Sequence, residues 1–112
     1  MRARTDCIVI DIDDTIASPA PFNWDYSYCA LKTGAKEAID TIKKDYLVIL
    51  HTGRHIKWAP MTIKWLKKHK INYDHIQFGK PPAKLYIDDK GYAFKSWKQT
   101  IKDLNKKEIL NG

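Results

Sequence analysis

The amino-acid sequence predicts an α/β fold in which one open parallel sheet carries helices on both faces. Short apolar runs of the kind found in buried strands cover residues 7–10, 46–50 and 84–87, and stretches with helical spacing of apolar residues alternate with them. Strands that alternate with helices are typical of parallel sheets. A chain of 112 residues is long enough for one hydrophobic core, so residues 1–112 are predicted to form a single domain.

The helices are predicted from apolar spacing and from the residues that begin them. Helices are expected over residues 34–44, over 60–69 and from 97 onwards, with further extended pieces at 74–78 and 92–94. Thr33 or Gly34 suits the cap of the first helix, and Pro60 suits the first turn of the second. Ser96 and Gln99 have the spacing of a capping box at the start of the third.

Residues 17–32 show no clear period and are predicted to be a loop. Its aromatic side chains are Phe22, Trp24, Tyr26 and Tyr28. These rings either cover the edge of the sheet and close a small core, or shield a site and stack on a sugar or a base. Trp58 and Trp65, which flank the apolar stripe of the second helix, are interpreted as packing residues.

The composition is that of a soluble globular protein, with 44% hydrophobic and 29% charged residues. The apolar runs are too short for a membrane span, and the first six residues lack the apolar core of a signal peptide, so a cytoplasmic location is expected. The net charge of +7 favours anionic partners such as phosphate esters or nucleic acid. Much of the excess is expected on solvated helix faces, at Lys64, Lys67, Lys68, Lys70, Lys95, Lys98, Lys102, Lys106 and Lys107.

Three polar clusters each follow a predicted strand, at residues 11–15, 51–54 and 88–89. Ligands bind outside the carboxyl ends of the strands in open parallel sheets, so these clusters are expected to converge in space. Carboxylate and hydroxyl oxygens without a histidine or thiolate cluster suit Mg²⁺. A carboxylate can also attack phosphorus and form an aspartyl-phosphate, while a nearby cation such as Lys80 stabilises the transferring oxygens.

These residues closely resemble the motifs of the haloacid dehalogenase superfamily of phosphohydrolases, over about residues 7–91. Its Asp-x-Asp-x-Thr motif is matched by Asp11, Asp13 and Thr15, its Ser or Thr by Thr52, its Lys by Lys80, and its acidic pair by Asp88 and Asp89. The intervals between motifs leave no room for a cap domain, as in small uncapped phosphatase-like members of that superfamily. An open site suits either a large substrate or a homo-oligomer in which a neighbouring subunit roofs a small one.

The resemblance implies a role for each of these residues. Asp11 would be the nucleophile, Asp13 the general acid and base, and Thr52 and Lys80 would hold the phosphoryl group. Mg²⁺ would be bound by the carboxylate of Asp11, the backbone carbonyl of Asp13 and the carboxylate of Asp88, with Asp89 direct or through water. Arg54 would either bind substrate or pair with a carboxylate, and His51 and His55 are interpreted as structural or solvent-facing. Asp14 stands where many members of the superfamily have glycine.

The predicted function is therefore a Mg²⁺-dependent phosphatase that hydrolyses a phosphate monoester through an aspartyl-phosphate. Its substrate would be a sugar phosphate, a nucleotide or a phosphorylated macromolecule. One alternative is a nucleic-acid-associated protein, which a polynucleotide phosphatase would merge with the first hypothesis. Another is a phosphoacceptor signalling domain, although its phosphorylated Asp would stand alone at the end of a middle strand, where this chain has His51 and Thr52.

Overall fold

A computed structural model describes residues 6–21 and 25–110 of the chain. Three parallel strands form its sheet: β1 (Cys7–Asp11), β2 (Leu47–His51) and β3 (His75–Gln77). Their order is β1-β2-β3, with Ile10 opposite Leu50 and Leu50 opposite Ile76. The predicted α/β fold with an open parallel sheet is confirmed. Two aromatic residues of the predicted loop, Phe22 and Trp24, lie outside the described residues.

Three helices follow the predicted pattern, each with the expected residue at its start. They are α1 (Ala35–Lys43), α2 (Ala59–Lys68) and α3 (Trp97–Lys106), and short 3-10 turns lie at Tyr26–Tyr28 and Ile56–Trp58. Gly34 caps α1 with a φ of 82°, and Pro60 stands in the first turn of α2. The Ser96 hydroxyl accepts a hydrogen bond from the Gln99 N–H at 3.1 Å, which satisfies one of the unpaired donors at the start of α3.

The core lies against one face of the sheet. Val48 and Leu50 point into it from the central strand, and Ile39 and Ile42 meet them from α1, all four essentially without exposed surface. Successive side chains of a strand point to opposite faces of the sheet. On the other face Val9, in β1, is 57% exposed. The strand ends are therefore anchored from one side, by the helices that connect them.

Asp74, the residue just before β3, forms hydrogen bonds with the central strand β2. The Asp74 N–H donates to the Val48 carbonyl, and the Asp74 carboxylate accepts from the Val48 N–H at 2.8 Å. Lys43 pairs with the same carboxylate at 2.9 Å. This explains why β3 is only three residues long although residues 74–78 were predicted as strand.

The predicted strand over residues 84–87 is wrong, because the segment makes no ladder with the sheet in the described structure. Leu85 is 72% and Ile87 is 90% exposed. Tyr86 instead turns back, where its hydroxyl donates to the Pro81 carbonyl and its ring meets the Lys80 ammonium at 4.4 Å. These local contacts compete with strand pairing. Residues 92–94 are likewise not a strand.

The surface carries the predicted basic residues. The lysines expected on solvated faces are all exposed, among them Lys64, Lys67 and Lys68 on α2 and Lys98 and Lys102 on α3. Within the described residues, none of the helices has the length and apolar character needed to cross a bilayer.

Candidate active site at the strand ends

Two carboxylates stand on either side of a fully buried isoleucine where β1 ends. Asp11 is the last residue of the strand, Ile12 has no exposed surface, and Asp13 follows it. The backbone N–H groups of Thr15, Ile16 and Ala17 all donate to the Ile12 carbonyl, at 2.9–3.3 Å. The turn after the strand is thus fixed to the core, and the two carboxylates are presented at defined positions.

Asp13 is held by a buried arginine from the end of β2. The Arg54 Nε lies 3.1 Å from Asp13 Oδ2 and its Nη2 lies 2.7 Å from Asp13 Oδ1, which is a bidentate pair. Its Nη1 donates to the Thr62 hydroxyl on α2 at 3.0 Å, and the guanidinium stacks 3.6 Å from the ring centroid of Tyr26. Arg54 is only 3% exposed. Of the two roles considered for Arg54, the structure therefore shows pairing with a carboxylate.

Thr52 links the ends of β2 and β3 to the same cluster. Its hydroxyl lies 3.4 Å from Asp13 Oδ2 and accepts the Arg54 N–H at 3.1 Å, and its side chain is fully buried. Its backbone N–H donates to the Gln77 carbonyl, and its carbonyl accepts the Lys80 N–H at 2.9 Å. Backbone hydrogen bonds therefore place Lys80 beside the end of β2, as the predicted convergence requires.

Gly53 allows this approach, because a Cβ at that position would lie 3.1 Å from the Lys80 carbonyl oxygen. A side chain would push the Lys80 backbone away by a few tenths of an ångström. The close contact between the two backbones is thus a reason for glycine between Thr52 and Arg54.

The half-buried Asp11 carboxyl sits in an environment of mixed charge. Burial raises the pKa of Asp11 and the charge of Asp13 adds to the rise, whereas Lys80, the Ile12 backbone N–H and His51 oppose it. His51 stands directly across the ladder from Asp11. Lys80 and Asp13 therefore act on the charge of the Asp11 carboxyl in opposite directions.

The acidic pair predicted to complete the site is not brought to the strand ends in this structure. Asp88 and Asp89 are exposed, and Asp88 Oδ1 accepts the Lys90 N–H at 2.7 Å. The reason is the missing fourth strand, which was expected to carry them to the sheet edge. The predicted convergence therefore holds for the first two clusters and Lys80.

The donors at the end of β1 fit a hard divalent cation in chemical type. One oxygen donor there is the Asp11 carboxylate, and another is the Asp13 carbonyl, which accepts none of the hydrogen bonds found among the described residues. Oxygen donors of this kind suit Mg²⁺, which retains several waters and needs only one or two carboxylates. No group of three acidic, histidine or cysteine side chains close enough to hold a metal occurs within residues 6–21 and 25–110.

Three residues of this site were not predicted from the sequence. Tyr26 lies beneath the Arg54 guanidinium, Thr62 binds its Nη1, and His51 faces Asp11. The parallel register of β1 and β2 was the signal that could have identified His51. No local pattern marks Tyr26 or Thr62, because each meets Arg54 only through tertiary packing.

Comparisons with known proteins agree with this fold. The chain matches no protein-family model. It is 31% identical over 52 residues to a Bacillus subtilis (strain 168) protein named "Putative nucleotidase YqfW", a match that spans 46% of this chain and 27% of that protein.

Solved structures resemble nearly the whole chain. A crystal structure of an MCSG target from Vibrio cholerae shares 21% identity and a TM-score of 0.68, with 93% of this chain and 99% of that chain covered. A structure of the Pnkp1/Rnl/Hen1 RNA repair complex contains a chain with 23% identity and a TM-score of 0.56, covering 95% of this chain and 33% of that one. The chain therefore has an α/β fold shared with these structures and local sequence similarity to a nucleotidase-named protein.

Proposed function

We propose that the protein is a Mg²⁺-dependent phosphatase that hydrolyses a phosphate monoester through an aspartyl-phosphate at Asp11. The observation that carries the proposal is the pair of carboxylates around Ile12, one half-buried among cations and the other held by Arg54. The motif resemblance to the haloacid dehalogenase superfamily supports it, and so does the local similarity to a nucleotidase-named protein.

In the proposed reaction an Asp11 oxygen attacks phosphorus and the bond to the leaving alkoxide breaks. Asp13 passes a proton to that alkoxide. It then takes a proton from a water that attacks the aspartyl-phosphate, which releases inorganic phosphate and regenerates Asp11. The bidentate contact from Arg54 keeps the Asp13 carboxyl in one orientation through both proton transfers.

The phosphoryl oxygens would be held by Lys80 and Thr52. Lys80 already acts on Asp11 electrostatically, so its ammonium lies within range of charge that develops there. Thr52 is more enclosed than Lys80, because its hydroxyl contacts Asp13 Oδ2 and accepts the Arg54 backbone N–H.

Mg²⁺ would be held by the Asp11 carboxylate and the Asp13 carbonyl, with Asp88 and Asp89 added as the resemblance implies. When bound it supplies positive charge that screens the repulsion between carboxylate and phosphate.

The test is phosphate release from an aryl phosphate, with and without Mg²⁺, for the wild type, Asp11→Asn and Asp14→Asn. Asp14 is adjacent and exposed, so its variant is the matched control and should keep activity. Metal-dependent release that Asp11→Asn abolishes supports the proposal. Activity that survives in Asp11→Asn refutes it, and a stable aspartyl-phosphate without turnover would indicate a phosphoacceptor domain instead.

A nucleic-acid-associated role is the second candidate, and the observation that favours it is the exposed lysine set on α2 and α3. One of the similar solved structures is named for an RNA repair complex, which is consistent with this candidate. Affinity for a single-stranded oligonucleotide that falls steeply with added salt would support it. Absence of binding at low salt would dismiss it.

A further inference from the structure

A cleft of about 300 Å³ opens beside the strand ends. Its lining residues are Tyr26, Gly53, Arg54, His55, Lys57 and Trp58. This volume is at the lower end of the range for small-molecule sites, which is roughly 300–1,000 Å³. The proposed chemistry at Asp11 does not use His55, Lys57 or Trp58, so half of these lining residues have no assigned role.

The cleft shares a wall with the proposed phosphate site. Gly53 lines it and is bonded between Thr52 and Arg54, while the Lys80 backbone packs on Gly53 from behind. Arg54 lines it as well and holds Asp13 by two hydrogen bonds. A group joined to a phosphate at Asp11 could therefore extend into the cleft without leaving the protein surface.

The lining combines aromatic rings with positive charge. Tyr26 and Trp58 meet edge to face, with ring centroids 6.0 Å apart and planes at 78°. The Lys57 ammonium lies 5.3 Å from the Trp58 centroid. Among the described residues that line the cleft, none is Asp, Glu, Asn or Gln. Such a wall can bind a flat aromatic group by stacking and tolerates a nearby negative charge.

Trp58 differs from the other tryptophans that the structure describes. Trp65 and Trp97 are 2% and 4% exposed, and their indole N–H groups donate to the carbonyls of Cys29 and Thr15 at 2.8 Å. Trp58 is only partly buried against the core, and its indole makes no hydrogen bond with the described residues. The core therefore accounts fully for Trp65 and Trp97, whereas part of the Trp58 ring lines the cleft.

The backbone presents Trp58 in a fixed position. The His55 imidazole Nδ1 accepts the Lys57 N–H at 3.0 Å, and the His55 carbonyl accepts the Trp58 N–H at 2.9 Å. Helix α2 begins at the next residue. A ring held at a helix start and packed on one side against the protein is preorganised to stack on a ligand.

We propose that this cleft binds the base of a nucleotide substrate, with Trp58 as the stacking surface and Lys57 beside the negatively charged backbone of the ligand. The inference rests on the proposed function, because the phosphate of the same nucleotide would be the one attacked by Asp11. Stacking is tolerant of base identity, so the subsite selects nucleotides over sugar phosphates rather than one base over another.

The experiment compares adenosine 5′-monophosphate with ribose 5-phosphate, which differ only by the base. The wild type should show a KM about 10-fold lower for the nucleotide, since stacking on one aromatic ring contributes this order of affinity. Trp58→Leu should remove that difference and leave the KM for ribose 5-phosphate unchanged, and Trp58→Phe should restore most of it. A terminally phosphorylated oligonucleotide, assayed in parallel, tests whether the bound base belongs to a free nucleotide or to the end of a nucleic-acid chain.

Ile56→Ala is the matched control, because Ile56 lies in the same turn, is 61% exposed and does not line the cleft. It should leave both KM values unchanged. Equal KM values for the two substrates, or an equal loss on both in Trp58→Leu, would overturn the base subsite while the phosphatase function stands.

Fluorescence quenching by adenosine 5′-monophosphate judges the subsite independently of turnover. The base subsite is supported if the wild type shows quenching and Trp58→Phe abolishes it. This holds even if the protein hydrolyses neither ester, and then only the phosphatase proposal fails. Quenching that is absent, or equal in Trp58→Phe, overturns the subsite.

Discussion

The pair between Asp13 and Arg54 should be much more costly to break from one side than from the other. The Arg54 side chain is 1% exposed and that of Asp13 is 36% exposed. Asp13→Ala leaves a buried guanidinium without its carboxylate. Arg54→Met leaves a carboxylate that water can reach, and it replaces the guanidinium with an apolar chain that still packs on Tyr26.

The magnitudes follow from burial. Removing one partner of a buried ion pair costs roughly 3–5 kcal/mol, because the remaining charge is uncompensated, and Asp13→Ala should fall in that range. For Arg54→Met the Asp13 carboxylate is hydrated, and the main loss is the hydrogen bond to the buried Thr62 hydroxyl. An unsatisfied hydroxyl costs about 1–3 kcal/mol, so a loss of about 2 kcal/mol is expected.

Urea unfolding followed by tryptophan fluorescence measures both variants and the double mutant. The double mutant should resemble Arg54→Met alone, because the guanidinium that Asp13→Ala strands is then absent. If Arg54→Met proves more destabilising than Asp13→Ala, the asymmetry of burial does not control the energetics of this pair and the reasoning fails.

Substitutions at three further positions probe the strand ends. Because burial raises the pKa of Asp11, the folded chain keeps this proton to higher pH than the unfolded chain, and stability falls as pH rises from about 4 through the folded pKa. Asp11→Asn should therefore raise Tm at pH 7 and lose this gain below about pH 4; a gain that is independent of pH would contradict the assignment. Gly53→Ala should lower phosphate release, and it should lower the free energy of unfolding by about 1 kcal/mol, because the Lys80 backbone must move. An unchanged urea midpoint and unchanged activity would show that the contact can accommodate a Cβ. Asp14 has a φ of 63°, so Asp14→Val should destabilise the protein by about 1–2 kcal/mol, whereas Asp14→Gly should not. Thermal unfolding measures both variants, and equal effects would refute backbone strain as the cause.

The positive φ of Asp14 also explains the departure noted in the sequence. The turn needs a residue in the left-handed conformation, which glycine adopts without steric cost, and Asp is among the residues that tolerate it. The Asp14 N–H donates to the Ala17 carbonyl at 2.7 Å, which closes the turn. The sequence identified the position, but only the backbone revealed why an aspartate can occupy it.

Local sequence patterns predicted the three helices and the first two strands because apolar spacing and caps are properties of neighbouring residues. They failed at residues 84–87, whose short apolar run fits a strand but whose Tyr86 finds a closer partner in Pro81. They also could not show that Arg54 would turn inward. Its enclosure depends on Tyr26 and Thr62, which lie 28 and 8 positions away along the chain.

The open side of β1 has a consequence for handling the protein. In the described structure β1 pairs only with β2, so its outer backbone groups can accept another strand, and Leu85, Tyr86 and Ile87 form a short exposed run with high strand propensity. One molecule could thus add its run to the edge of the next. The net charge of +7 opposes such self-association, because like-charged molecules repel at low ionic strength. Added salt screens that repulsion, so solubility should fall as ionic strength rises.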